Sequence, residues 1–474
     1  MYREVEKLKF NDNPLYLEFY PQWKKCRDII NGEECVKANG ELYLPRASGM
    51  NDDDYKAYLG RAQFFNATGR TLDGLLGLAF RKEAEIKVPE EFTYLLKNVD
   101  GKGTPLNVYL TNVFKEMIIT NWGCVLVDMP KNEKVLSQKE FEQLNMSAYL
   151  TFYKAEQIRD WGWEVVDRKI RLKYVILEES VNEKKSTYVS YPVTQYRVCE
   201  LDKEGFYRQK IFNQNHELTS IVYPQKKDGK FTEIPFYFVT KKAPEKPILS
   251  DMANVNLAHF RKSADIENGA HWTGVPTPYV SGATEETEII NGEEVAKPLH
   301  LGGSRVYFLS DPSARMRYLE FSGQGCNLLR NMMVDDEERM SILGTRIISS
   351  EKKGVEAAET AKIHRAGENS ILASIAIQLG DSFKDILKLY IEWSSGKEIN
   401  ENDIILKINT DYDTTKMTAQ EMIAIVTAWQ GGGIARKDLF DAFKNGEVLN
   451  SDRDFSQMVN EIENEQIMGL NKIE

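Results

Sequence analysis

The chain has 474 residues, 42% hydrophobic and 28% charged, a balance ordinary for a soluble globular protein with material for two or three cores. A net charge of −11 argues against a tight grip on nucleic acid, because that affinity comes mainly from Lys and Arg on phosphates; a mildly acidic wall past which DNA slides stays compatible with it. No apolar run reaches the ~18 residues of a membrane span, and Met1-Tyr2-Arg3-Glu4-Val5-Glu6 has no signal-peptide core, so an intracellular protein without a membrane partner is expected. Five cysteines (Cys26, Cys35, Cys124, Cys199, Cys326) are scattered, odd in number and without CxxC spacing; they read as reduced thiols rather than a disulfide frame or zinc site.

In chain order, residues 1–52 are polar and turn-rich, with Pro14, Pro21 and Pro45. A helix is expected from about Asp53 to Phe80. Asp52-Asp53-Asp54 supplies a cap and an acidic first turn, and Tyr55, Tyr58, Leu59, Ala62 and Phe65 recur at helical steps. Gly69, Gly74 and Gly77 predict a break near Gly69. Leu110, Val113, Phe114, Met117 and Ile118 mark a second helix over Leu106 to Thr120, and Cys124 to Asp128, ended by Pro130, reads as a buried strand. From about Ser147 to Thr240 the period becomes two. Ile170, Leu172, Tyr174 and Ile176 alternate with their neighbours, and Tyr188–Leu201, Phe206–Phe212 and Ile234–Thr240 follow between charged turns, as in an antiparallel meander.

Lys241 to Pro247 is a linker. Ser250-Asp251 caps a helix reaching about Trp272, which Val275-Pro276-Thr277-Pro278 stops. A small β insert runs to about Pro312; it carries Glu285, Glu286, Glu288, Glu293, Glu294 and the run Arg305-Val306-Tyr307-Phe308-Leu309. Beyond Pro312 there is no proline, whose presence inside a helix costs ~3 kcal/mol, so long helices are free to form. One covers Cys326 to Leu343. After the polar loop Ser349-Ser350-Glu351-Lys352-Lys353-Gly354, another is expected from about Val355 to Trp393, ~57 Å long. Ile404–Ile408 is a further strand, and the tail from Thr418 is helical with a Gly431-Gly432-Gly433 turn. The fold class is α+β.

This order of parts resembles the portal protein, or head-to-tail connector, of tailed double-stranded-DNA bacteriophages. Pro247-Ile248-Leu249-Ser250-Asp251-Met252-Ala253-Asn254 resembles that family's passage from wing to stem, and Pro276-Thr277-Pro278-Tyr279-Val280-Ser281-Gly282 its passage from stem to clip. Tyr43-Leu44-Pro45-Arg46, Arg61-Ala62-Gln63-Phe64-Phe65-Asn66 and Phe80-Arg81-Lys82 resemble its N-terminal wing, and Gly433-Ile434-Ala435-Arg436 its C-terminal segment. The resemblance implies a wing over 1–247, a first stem helix over 248–274, a clip over 275–318 and a second stem helix over 319–345. It further implies a tunnel loop over 346–356, a long wing helix with its returning strand over 357–412, and a helical crown over 413–474. The implied role is that of a non-enzymatic ring subunit without cofactor or metal, a homododecamer at one capsid vertex of the virion, assembled in the host cytoplasm. Its implied partners are other copies of itself, the terminase large subunit, major capsid or scaffolding protein, a head-tail adaptor, and the double-stranded DNA passing through.

In such a ring Ser349, Ser350, Glu351, Lys352, Lys353 and Gly354 would project into the channel, the two lysines meeting phosphates transiently. Asp335, Asp336, Glu337 and Glu338 are by themselves a solvated helix face; in a ring they would repeat as an acidic belt, on the lumen or on the outer side. Arg261 and Lys262, near the middle of the first stem helix, carry the same ambiguity. No catalytic constellation stands against this reading. His216, His259, His271, His300 and His364 never fall at metal-ligand spacing, Gly431-Gly432-Gly433 lacks the Lys-Ser/Thr of a phosphate loop, and Asp411-Tyr412-Asp413 is a turn. Trp161, Trp163, Trp272, Trp393 and Trp429 read as core or interface anchors. The rival reading, a soluble α+β nucleic-acid-processing enzyme, needs such a constellation.

Overall fold

The structure, a computed structural model, describes residues 6–130, 147–226, 229–274, 277–282, 287–290, 293–296, 313–319, 324–348, 370–412, 419–445, 448–449 and 453–470. The loop Ser349–Gly354, the expected helix start at Val355, the run Arg305–Leu309 and Glu285 and Glu286 lie outside the described residues. Helices and sheets are both abundant, and the chain divides into two units, residues 1–410 and 411–474.

The first unit opens with α1 (Pro14–Asn31) and α2 (Glu33–Ala38), where a turn-rich segment was expected. Asn13 caps α1, its side chain accepting from Leu15 N, and Pro14 occupies the first turn, where a missing N–H costs nothing. Pro21 lies inside the helix. It is exposed, and so is Leu17 four residues back, whose carbonyl loses its partner on the watery side. Tyr16, Trp23, Cys26 and Ile29 are buried on the other side.

Next come α3 (Asp52–Arg61) and α4 (Ala67–Ala79). The break expected near Gly69 is present and falls just before it, at residues 62–66. Asn66 caps α4 by accepting from Gly69 N at 2.9 Å, and a Cβ on Gly69 would lie 2.6 Å from that same side chain, so the glycine serves the cap. After β1 (Glu85–Lys87), α5 (Leu106–Thr120) and β2 (Gly123–Asp128) stand where the sequence places them, and every residue of β2 is buried.

The strands β3 (Tyr149–Lys154), β4 (Ile158–Val166), β5 (Lys169–Lys184), β6 (Ser190–Leu201), β7 (Tyr207–Phe212) and β8 (Leu218–Val222) follow. The five from β4 to β8 form an antiparallel meander in sequence order. The short pair β9 (Gln225–Lys226) and β10 (Gly229–Lys230) precedes β11 (Phe236–Phe238). β11 was read with the meander but pairs with β2, giving the order β11-β2-β3. A strand buried on both faces needs hydrogen-bond partners along both edges, and β11 supplies the second. Between the two sheets Arg197 reaches Glu179 at 2.6 Å and Asp128 at 3.4 Å. Burial pushes Asp128 up despite that guanidinium; for Glu179 burial is outweighed by Arg197, Tyr153 and Gln195, which hold its carboxyl below the usual range.

The rest of the unit comprises α6 (Ser250–Gly274), β12 (Thr277–Ser281), β13 (Thr287–Ile290), β14 (Glu293–Ala296), β15 (Arg315–Leu319), α7 (Gln324–Ile348), α8 (Ile371–Ser395) and β16 (Ile405–Lys407). The expected continuous helix from Val355 is corrected at its start. Ser370 is extended (ψ 149°) and caps α8, its hydroxyl accepting from Ala373 N at 3.0 Å, so the helix begins at Ile371. α8 is the core helix. Phe383 packs on Tyr109 of α5, Tyr390 donates to Leu95 O at 3.0 Å, and Trp393 meets Phe231 and donates to Gln225 O. Gly380 lets β16 approach, since a Cβ there would lie 3.0 Å from Leu406 O. A second centre stacks Trp23 on Trp122, with Trp161 4.7 Å from Trp122.

The second unit holds α9 (Ala419–Gln430), α10 (Arg436–Asn445) and α11 (Phe455–Leu470). The Gly431–Gly433 turn joins the first two, with Gly432 at φ 76° and Asp438 accepting from Ala435 N. Phe440 and Phe455 pack edge to face at 5.4 Å.

Candidate functional site

The candidate site is the excursion of chain from Ser250 to Ile348, which leaves the body as α6 and returns as α7. Its base is anchored by polar contacts and a small core. Asn256 Oδ1 accepts from Thr68 N and Oγ1, while its Nδ2 donates to Phe65 O. Ser263 Oγ accepts from Gln63 N, and Tyr58 donates to Asp265 at 2.6 Å. Ala253, Leu257, Phe260 and Ala264 bury against Cys26, Ile29, Tyr55 and Phe64. The segment Arg61–Asn66, singled out in the sequence, is therefore the socket of α6.

α6 and α7 run antiparallel in one register from Met252 to Gly269. Gly344 faces Met252, Glu337 faces His259, Asp336 faces Lys262, and Cys326 faces Gly269, where an added Cβ would lie 3.4 Å from the thiol. The same register continues into the ribbon of β12 and β15, with Thr277 opposite Leu319 and Ser281 opposite Arg315. β13 and β14 form a further hairpin, Thr287 opposite Ala296. Helix pair and ribbon thus share one two-stranded, antiparallel arrangement, called the arm below.

Within this arm the charges singled out in the sequence separate. Asp336 is 2% exposed and forms an ion pair with Lys262, with Arg339 3.7 Å away, so it is no part of a solvated acidic face. A carboxylate in that setting is stable only because the ammonium meets it there. His259 Nε2 lies 3.3 Å from Glu337 Oε1, and the imidazole packs on Phe65. Arg261 Nε donates to Tyr43 O at 2.8 Å, which ties that guanidinium to the N-terminal helices. Asp335 and Glu338 are exposed. The burial of Asp336 had a sequence signal: Leu329, Met333, Met340, Leu343 and Ile347 form a stripe of alternating three- and four-residue steps with Asp336 at its centre.

Among the described residues no three His, Cys, Asp or Glu side chains are grouped to hold a metal ion. No described helix is long and apolar enough to cross a membrane. Trp161 and Trp393 are buried, Trp163 lies 5.2 Å from Phe238, and Trp429 is 37% exposed.

Residues 248–394, which span the arm and nearly all of α8, match a family described as "Domain of unknown function (DUF4055)". No curated protein matches the chain. Solved structures similar in shape include "Virion of native gene transfer agent (GTA) particle", at 11% identity and TM-score 0.36, covering 86% of this chain and 95% of that one. "Neck of empty GTA particle computed with C6 symmetry" matches at 10% identity and TM-score 0.36, over 86% and 97% of the two chains. "Neck of native GTA particle computed with C12 symmetry" matches at 10% identity and TM-score 0.33, over 85% and 95%. Likeness at this level carries no functional weight.

Proposed function

We propose that this chain is a structural ring subunit whose α6–α7 arm lines a DNA channel, in the manner of the portal of tailed bacteriophages. The observation that carries the reading is the arm itself. A helix pair and a β ribbon held in one antiparallel register extend from an α+β body, with the long core helix and a helical C-terminal unit following in the order the sequence resemblance implies. Such an arm has little to bury on its own, and a ring of copies gives it neighbours.

In this reading the residues from 275 to 318 form the narrow end that meets the packaging motor, the terminase large subunit, and later the head-tail adaptor. Capsid or scaffolding protein surrounds the body at the vertex. Ser349–Gly354 reach the axis, where Lys352 and Lys353 hold packaged DNA by reversible phosphate contacts. The role is geometric: a closed heterologous ring with a mostly non-adhesive lumen. Negative-stain images of the purified full chain test it. Closed rings with a central hole are expected; compact monomers at every concentration would overturn the reading and return the rival, a soluble α+β enzyme, to first place.

A further inference from the structure

α7 offers two exposed faces of different chemistry. Leu328, Met332, Asp335, Arg339, Ile342 and Arg346 follow steps of four and three and are all exposed, which puts them in one line on the helix. Leu328 is 62%, Met332 40% and Ile342 47% exposed, so a row of large apolar side chains stands in water. The neighbouring line, one residue earlier and rotated by about 100°, reads Asn331, Val334, Glu338, Ser341 and Thr345, also exposed. Its members are short or acidic, and it holds no basic residue.

We propose that the first line is the seam on which a second copy of this chain packs, and that the second line stays open to water as the channel wall, with Glu338 its one carboxylate. This rests on the ring reading and makes it specific. Alternating steps of four and three are the spacing of a helix–helix seam, and apolar knobs flanking a central acid and base are what such a seam uses. Asp335 has no partner among the described residues, so a basic side chain from the neighbour completes it. Among the described residues the chain's own body does not cover this line: it holds α6 through Tyr58, Arg61 and Tyr43, and its α4 and α8 meet α7 away from the exposed row. A heterologous ring requires each subunit to offer different surfaces to its two neighbours and to the axis, and two unlike faces on α7 suit that need. Of the four acidic residues in the run, Asp336 is neutralised by Lys262, Glu337 turns to His259 and Asp335 belongs to the seam. The acidic belt therefore reduces to Glu338.

Thiol footprinting tests this on the full chain, with Cys35 and Cys326 replaced by Ser and single cysteines placed at 332, 342, 334 or 341. In assembled protein, maleimide should label positions 332 and 342 at least tenfold more slowly than 334 and 341, and all four should react alike after dissociation. Equal labelling in intact rings would overturn the seam and leave the ring standing. Protection of 332 and 342 that persists in dissociated protein would overturn it as well, because the chain's own residues would then cover the line. A wild-type chain that never assembles would sink both ideas. Met332→Glu with Ile342→Glu should abolish rings while leaving the circular dichroism spectrum of the folded subunit unchanged. Glu338→Lys should keep rings and raise DNA retention at least several-fold at low salt, an effect lost as salt rises; rings that retain no more DNA would place Glu338 off the channel wall.

Discussion

α7 and α8 both have 25 residues, yet α8 buries twelve of them and α7 three. α8 is surrounded by α4, α5, β2, β11 and β16, and its apolar positions have partners inside the chain. α7 leans on α6 along one side, with α4 and α8 near its C-terminal end, and keeps Leu328, Met332, Val334 and Ile342 in water. The same periodic signal thus serves two ends. One helix holds the subunit together, and the other, in the proposed ring, has its Leu328, Met332 and Ile342 line covered by a second copy.

Substitutions can break this contrast, beginning with the largest effect. Phe383→Ala empties a fully buried site against Tyr109 and should cost about 3–5 kcal/mol in chemical denaturation. A loss below ~1 kcal/mol would deny α8 its central place. Asp336→Ala strands Lys262 against the helix pair and should cost roughly 2–3 kcal/mol, under the full range for a buried pair because Lys262 keeps some exposure. Adding Lys262→Met should restore most of that loss, and a double variant no better than the single one would mean the two side chains are not coupled.

Gly380→Ala presses a methyl on Leu406 O and should cost about 1–2 kcal/mol, read as a lower denaturation midpoint. A neutral or stabilising result would show that β16 gives way. The smallest change sharpens the register. Gly269→Cys should form a disulfide with the native Cys326 under mild oxidation at little cost in stability, since the added Cβ starts 3.4 Å from the thiol. No cross-link on a non-reducing gel would mean that α6 and α7 pair in another register.

Much of this fold could be read in the sequence where local pattern and tertiary need agree. α5 falls on the predicted Leu106–Thr120, β2 on the apolar run, and the meander on its period of two. The misses come from rules that context overrode. Pro21 argued against α1, but a proline whose lost bond faces water is tolerated. The break near Gly69 is present, but the glycine itself is a cap contact rather than the breaker. β11 left the meander because β2 had a second edge to fill, which no local pattern encodes. At the candidate site the two arm helices and their acidic run were legible. The stripe around Asp336 signalled its burial, but the partner of each carboxylate was not legible, because it depends on which residue of α6 stands opposite, and only the register fixes that.

Native mass spectrometry of the purified full chain tests the proposed channel most directly. A closed ring predicts one dominant assembly at an integral multiple of the 54.4 kDa subunit, twelve copies by the sequence resemblance, that persists on dilution until the α7 seam is broken. A monomer at all concentrations, or an open-ended ladder of masses without a preferred closure, would contradict it.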